Sequence, residues 1–366
     1  MYKEWMYKVI DTMYKKDYPV CIANWHYEDG VLLKGLTYAY NIDGNEKYYE
    51  FIENYLSNYI REDGDVPRIT KRPKSVDSLH NGKIILAAYK HTKRECYERP
   101  IEIIKEAIKT HPRLDNSKSF AHKVIYDNQV WLDGLFMLQP LYAELAEMYN
   151  MTDAWDDIAA QYENVVKYCY DENKQLFYHA YDHKKKMFWA DKETGLSKHF
   201  WGRALGWLAM STVETLDYFP ADHPGRAAIM NCIEKIAEGI IKYQSPEGVW
   251  YQILDLADRE GNYKESSCTA MFAYFLKKAV MKGYIGNEYE PYAQKAIDGL
   301  FKEFVTVDEN DMVHVHNCCL VAGLGPDKRP ERDGSFEYYI SEAVVDDDNK
   351  TFGTLLCLLT LYASEE

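Results

Sequence analysis

The stretch HKVIYDNQVWLDG, residues 122–134, sets two groups able to transfer a proton, Asp127 and Asp133, beside an aromatic face, Trp131, and the hydrogen-bonding side chains of His122, Asn128 and Gln129. Directly afterwards, in LFMLQPLYAELAEMY, apolar residues recur at three and four, so Asp133 falls where a helix begins. Free backbone N–H groups and positive potential at a helix start keep a carboxylate ionised unless burial opposes them. Aspartate there is equally an ordinary N-terminal cap. Other acids that could share a site are Glu28, Asp29, Asp77, Glu265, Glu337 and Glu342. Asp77 and Asp133 stand out, because each precedes an apolar helical run and has polar companions, His80 with Asn81 and Trp131 with Asn128. Glycoside hydrolysis ordinarily uses two carboxyl groups at a separation that only the fold sets. In FWGRALGW, Arg203 and Trp207 share one helix face, a forked cation beside an aromatic plate that suits a sugar carboxylate. The same arginine could instead pair with one of the acids. His179, in an alternating stretch, could donate to a sugar hydroxyl or simply be packed.

Several chemistries are disfavoured. Ser266 and Ser267 lack a nucleophile elbow, and GLGPDKR (323–329) lacks the phosphate-loop lysine pattern. His314 and His316 form one close pair without further ligands at metal spacing, and Asp346 to Asp348 read as a solvated acidic turn in preference to a calcium site. A net charge of −15 and the absence of a basic stripe argue against nucleic acid and anionic membranes as partners. Eight scattered cysteines without a CxxC pair read as reduced thiols, the N-terminus has no signal-peptide pattern, and no apolar run is long enough to span a bilayer. A cytoplasmic protein is expected.

Twelve helical stretches would position these groups: 2–17, 28–41, 45–62, 77–91, 95–110, 133–149, 153–170, 201–218, 224–243, 267–284, 288–304 and 351–363. KYYEFIENYLSNYI, AAIMNCIEKIAEGIIKY and EPYAQKAIDGLFKEFV are amphipathic and look like outer helices. DGVLLKGLTYAYN, NGKIILAAY, DGLFMLQPLYA, GRALGWLAMSTV and SSCTAMFAYFLKKA are apolar over more of their circumference and look like inner ones. Outer and inner alternate six times, as a closed double ring, an (α/α)6 barrel, requires; a bundle or open solenoid would give a similar count. The chain is read as one domain, residues 1–366. The unusual residues lie just before inner helices, in NWHYEDG, SVDSLHNG, YDNQVWLDG, KHFWGRALGW and KESSCT, with Trp25, Trp131, Trp201 and Trp207 among them and Trp250 nearby. A closed ring would gather these starts at one mouth, an aromatic-lined pocket of carbohydrate size. Residues 176–195 read as a hairpin, 248–264 as strand, acidic loop and return, and 305–350 as a segment folded across the same face.

YDNQVWLDGLFM, FWGRALGWLAM, ESSCTAMFAY with a following GYI, VAGLG and RDGSFEYYISEAVV, in this order, resemble the unsaturated rhamnogalacturonyl hydrolases of glycoside hydrolase family 105. The resemblance runs from about Trp25 to the C-terminus and implies an (α/α)6 barrel. It implies removal of the 4,5-unsaturated uronic acid left at a non-reducing end when a lyase cuts pectin, by hydration of the C4=C5 enol ether. Asp133, in WLDG, would be the acid and base, with a pKa raised by its surroundings. Asp77 would be the second aspartate, positioning substrate or water. Asn24 or Trp25, His122, Lys123, Trp131, His179, Arg203 and Trp207 match substrate contacts. The resemblance implies no cofactor and no metal, an unsaturated di- or trisaccharide as ligand, and a monomer or weak homo-oligomer. GRALGW stands where GRGNGW is common, and Cys268 replaces a small Gly or Ser, so bulk near the mouth and altered subsites are expected. The glucuronyl hydrolases of family 88 are the nearest alternative; a sugar epimerase or isomerase, or a non-catalytic sugar-binding protein, is a more distant one.

Overall fold

Twelve stretches that pair an apolar stripe with polar residues become helices of at least eleven residues in the computed structural model, which describes residues 1–16, 25–126 and 128–366. They are α1 (Tyr2–Lys15), α2 (Tyr27–Asp43), α3 (Lys47–Ser57), α4 (Gly82–Thr92), α5 (Glu98–Lys109), α6 (Leu132–Tyr149), α7 (Ala154–Cys169), α8 (Gly202–Thr215), α9 (Arg226–Lys242), α10 (Ser266–Met281), α11 (Glu290–Phe304) and α12 (Asn349–Ala363). The even-numbered helices pack side by side in chain order, and α12 returns against α2, so the ring closes. The odd-numbered helices lie outside: α3 on α2 and α4, α5 on α4, α7 on α6, α9 on α8, α11 on α10 and α1 on α12. This is the (α/α)6 barrel. Small residues let the inner helices approach, as where Gly206 of α8 faces the Met271 side chain of α10.

The run read over 77–91 is two pieces, a turn at Val76–Leu79 and α4, separated by His80 and Asn81. Asn81 directs its side-chain amide to the His26 carbonyl and the Tyr55 hydroxyl, which ties the junction to α2 and α3.

Eight short strands pair in twos among the described residues: β1 (Gln129–Trp131) with β4 (Ala180–Asp182), β2 (Tyr170–Asp171) with β3 (Leu176–Phe177), β5 (Val305–Val307) with β6 (Val313–Val315), and β7 (Cys318–Cys319) with β8 (Val344–Val345). The hairpin expected over 176–195 is therefore mostly not one; its ends meet only at a Tyr181–Leu196 bridge. The Asp182 carboxylate accepts backbone N–H groups from Lys184, Lys186 and Met187, and this tight turn leaves the β4 edge open to β1, the strand that feeds α6. The strand and return read over 248–264 meet at a Tyr251–Lys264 bridge.

Contacts between successive inner-helix starts run right round the ring. Asn81 reaches His26, Asp77 meets Lys123 and His122 ahead of α6, and His179 lies between Asp133 and Trp201. Arg203 pairs with Glu265, Ser266 with Thr351, and Lys350 with Glu28. All six starts thus stand at one end, which is where the site lies.

Candidate active site

Asp133 is the second residue of α6, with Trp131 as the cap position and no side-chain cap hydrogen bond, so its carboxylate does not serve as a cap. The side chain is 14% exposed, and its Oδ2 is buried without a hydrogen-bond partner among the described residues. Oδ2 lies 3.3 Å from Nε2 of the fully buried His179, close but not aligned as a hydrogen bond. On the other side of that imidazole, Nδ1 is 2.7 Å from the Tyr339 hydroxyl. Burial pushes the Tyr339 phenol well above its ordinary range, so it keeps its proton and can donate a hydrogen bond to Nδ1. With the hydroxyl donating, the ring proton sits on Nε2, facing Asp133. The ring so arranged steadies the carboxylate that remains once Asp133 has given up its proton.

Asp77 has a different setting. It sits in the turn Val76–Leu79, capped by Ser75, and its carboxylate is 2.8 Å from Lys123 Nζ and 3.7 Å from His122 Nε2. Burial works to raise its pKa, but the Lys123 ammonium and the His122 ring outweigh it and hold the carboxyl below the usual range. His122 itself is pushed down to about 4, by burial foremost, and is neutral at physiological pH. The companions are thus not His80 and Asn81, as the sequence suggested: His80 packs against Phe136 and Tyr27, and Asn81 serves the helix junction.

Arg203 is 1% exposed. Its Nε donates to Ser267 Oγ at 2.8 Å and its Nη2 to Glu265 at 3.1 Å and to the Cys319 carbonyl, while Nη1 has no hydrogen bond among the described residues. The guanidinium lies over Trp201, 5.5 Å from the ring, and not over Trp207, which is enclosed by Phe136 and Tyr27. The pairing with an acid read as an alternative is the one found, because Glu265 at the start of α10 also accepts from the Cys268 and Cys319 backbone and would be a bare buried charge without the arginine.

The sequence profile described as Glycosyl Hydrolase Family 88 matches residues 2–365. A solved glycoside hydrolase from family 105 of C. acetobutylicum superposes with a TM-score of 0.94 at 35% identity, covering 98% of this chain and 99% of that one. This chain belongs to the glycoside hydrolases of families 88 and 105. It is also similar to Protein Atu3128 of Agrobacterium fabrum, 33% identical over 59% of this chain and 94% of that protein. The unsaturated rhamnogalacturonyl hydrolase YesR of Bacillus subtilis is 26% identical over 79% of this chain and 78% of its own.

In this glycoside hydrolase the tryptophans at the helix starts are walls, not open plates. Trp25, Trp131, Trp201, Trp207 and Trp250 are all buried. Trp131 stacks on His122 at 4.5 Å and on Tyr126 at 5.1 Å, and Trp25 donates its indole N–H to the Ser78 carbonyl. Asn24 and Asp127 lie outside the described residues. Cys268 Sγ packs against Gly202 where α8 and α10 begin, and Ala204 and Leu205 are fully buried. Glu337 pairs with Arg259 on the surface, and Glu342 accepts from Tyr338. Asp346, Asp347 and Asp348 are paired with His316, His314 and Lys350. Among the described residues no cluster of His, Cys, Asp and Glu could hold a metal ion, and no helix is long and apolar enough to cross a membrane.

Sequence reasoning missed Tyr339 and Tyr27. Tyr27, the first residue of α2, is half-buried against Trp207 and lines the same groove as Asp77 and Lys123, which puts it among the groups at the mouth. Its place in NWHYEDG was the available signal. Tyr339 gave none.

Proposed function

We propose that this hydrolase removes a 4,5-unsaturated uronic acid from the non-reducing end of lyase-generated rhamnogalacturonan oligosaccharides by hydrating the C4=C5 enol ether. The observation that carries the reading is the unequal state of the two aspartates. A retaining or inverting glycosidase of the usual kind needs two carboxyl groups free to act. Here Asp77 is committed to Lys123, whereas Asp133 has a buried oxygen with no partner. One free acid suffices for hydration.

In this mechanism Asp133 gives its proton to C4, and positive charge develops at C5 beside the ring oxygen. The Asp133 carboxylate, steadied by the Nε2–H of His179, then takes a proton from the water that adds to C5. The hemiketal so formed opens and releases the neighbouring sugar. Asp77, held as an anion, accepts from a substrate hydroxyl or from the attacking water, and Arg203 with Tyr27 supplies donors for the uronate carboxylate. Trp25, Trp131 and Trp207 shape the pocket, His122 and Lys123 hold Asp77, and no cofactor takes part. The seven described cysteines are all free thiols, which supports a cytoplasmic setting.

The rhamnogalacturonan assignment is supported by the name of the B. subtilis relative. It is tested by incubating the protein with unsaturated disaccharides from rhamnogalacturonan, homogalacturonan and chondroitin, and following loss of the double-bond ultraviolet absorbance. Fastest loss is expected with the rhamnogalacturonan product. Preference for the chondroitin product would move the assignment to a glucuronyl hydrolase, and no loss with any of the three would sink the reaction.

A further inference from the structure

Beside Asp77 opens a groove of about 320 Å³ that Arg68 and Arg72 also line. That volume is at the lower end of small-ligand sites, about 300–1,000 Å³. We infer that this groove binds an anionic group, a carboxylate or a sulfate ester, on the part of the substrate that leaves. The inference rests on the hydrolase reading above, since the groove shares Asp77, Lys123 and Tyr27 with the mouth.

Charge is the first argument. The chain carries −15, yet PRITKRPK, residues 67–74, holds four cations and no acid. Lys74 is used on the Thr110 carbonyl at 2.6 Å, and Lys123 on Asp77 at 2.8 Å. Arg68 and Arg72 have no carboxylate partner among the described residues, although both line the groove. Two guanidinium groups lining one groove whose only carboxylate among the described residues, Asp77, is already paired with Lys123 leave positive charge uncompensated, and an anion bound there relieves that. Their planar forks match a carboxylate or sulfate, which a solvated lysine patch would not do as well.

Rigidity is the second. The segment begins as a turn of helix at Pro67–Thr70, with a proline in its first position and Thr70 Oγ1 bonded to Asp65. It is stitched to the strand of chain bearing Lys123 by the Ser75–Lys123 bridge and by bonds from Val76 to His122 and Val124 to Lys74. The arginine backbone and the Lys123 backbone are therefore fixed relative to one another before any ligand arrives, which lowers the ordering cost of binding.

The test uses Asp133→Asn, which holds substrate uncleaved, with or without Arg68→Gln and Arg72→Gln together. Dissociation constants are measured for an unsaturated uronyl-rhamnose, for the same compound extended by galacturonate, and for its rhamnose sulfate ester. One of the two ligands with an added anion is expected to bind about tenfold tighter than the parent uronyl-rhamnose at low salt. The advantage should shrink as salt rises, and fall to under about threefold in the double-arginine background. Which ligand gains identifies the anion. Equal affinities for all three, or an advantage that survives the two arginine substitutions in a protein of unchanged melting temperature, overturns the inference. Hydrolysis by the unsubstituted protein is scored separately, so failure of the reaction and failure of the groove give different results.

Discussion

Two aspartates near helix starts differ in what faces them. Asp77 meets a lysine and an imidazole; Asp133 meets an imidazole whose proton is assigned through a tyrosine. Replacing Asp133 by Asn keeps the shape and removes the transferable proton. Turnover of the unsaturated disaccharide is expected to fall by about 10²–10⁴. The melting temperature should hardly move, since Oδ2 makes no hydrogen bond to lose. Near-normal turnover would move the acid elsewhere. Asp133 was legible in the sequence because an acid, a tryptophan and a helix start coincide in WLDG. The Tyr339 contact was not, because it comes from 160 residues further along the chain and only the closed ring brings it to His179. Arg203 was legible as a special residue, but its aromatic partner was misread: spacing of four gives a shared face, not which ring that face meets.

At the level of elements, periodicity located all twelve helices, and alternation of broad and narrow apolar faces sorted inner from outer. What it could not give was the break at His80 and Asn81 or the pairing of β4 with β1, since both are decided by side chains and strands distant in sequence. Asp29 shows how the helix starts depend on one another. It lies in the first turn of α2 and accepts from the Tyr55 hydroxyl of α3, and burial lifts its pKa from 3.8 to about 7. The folded protein therefore binds this proton more tightly than the unfolded chain. Between about pH 4 and 7 the folded state carries more protons here, so this group's contribution to stability falls as pH rises through that window. Asn at position 29 has no charge to bury. Asp29→Asn should match the parent protein near pH 5 and exceed its melting temperature by about a few degrees at pH 8. Thermal unfolding at both pH values checks this, and a gap that does not change with pH would refute the assignment.

For the whole molecule, closure is the property on which the site depends, because each inner helix is held by two inner neighbours and the last of them returns to the first. The seam is α12 against α2, and Gly353 lies in it. A Cβ at Gly353 would stand 2.7 Å from the Leu32 backbone nitrogen and 2.9 Å from its Cα. Backbone cannot swing aside as a side-chain tip can, so α12 and α2 would have to separate. Alanine in a helix gains up to about 1 kcal/mol over glycine. Overpacking a dense core costs about 1–3 kcal/mol, and contact with backbone belongs at the upper end of that range. The net effect of Gly353→Ala is therefore destabilising, by about 1–2 kcal/mol, with a melting temperature lower by a few degrees. The displacement is passed to the start of α2, where Tyr27 faces the mouth and Glu28 meets Lys350 of α12. Activity should fall with stability: kcat/KM for the unsaturated disaccharide is expected to drop severalfold, although no atom of residue 353 reaches Asp133. Unfolding and steady-state rates measured on the same preparation test the two effects together. A drop in melting temperature with unchanged kcat/KM would mean that the seam carries the fold but not the geometry of the site.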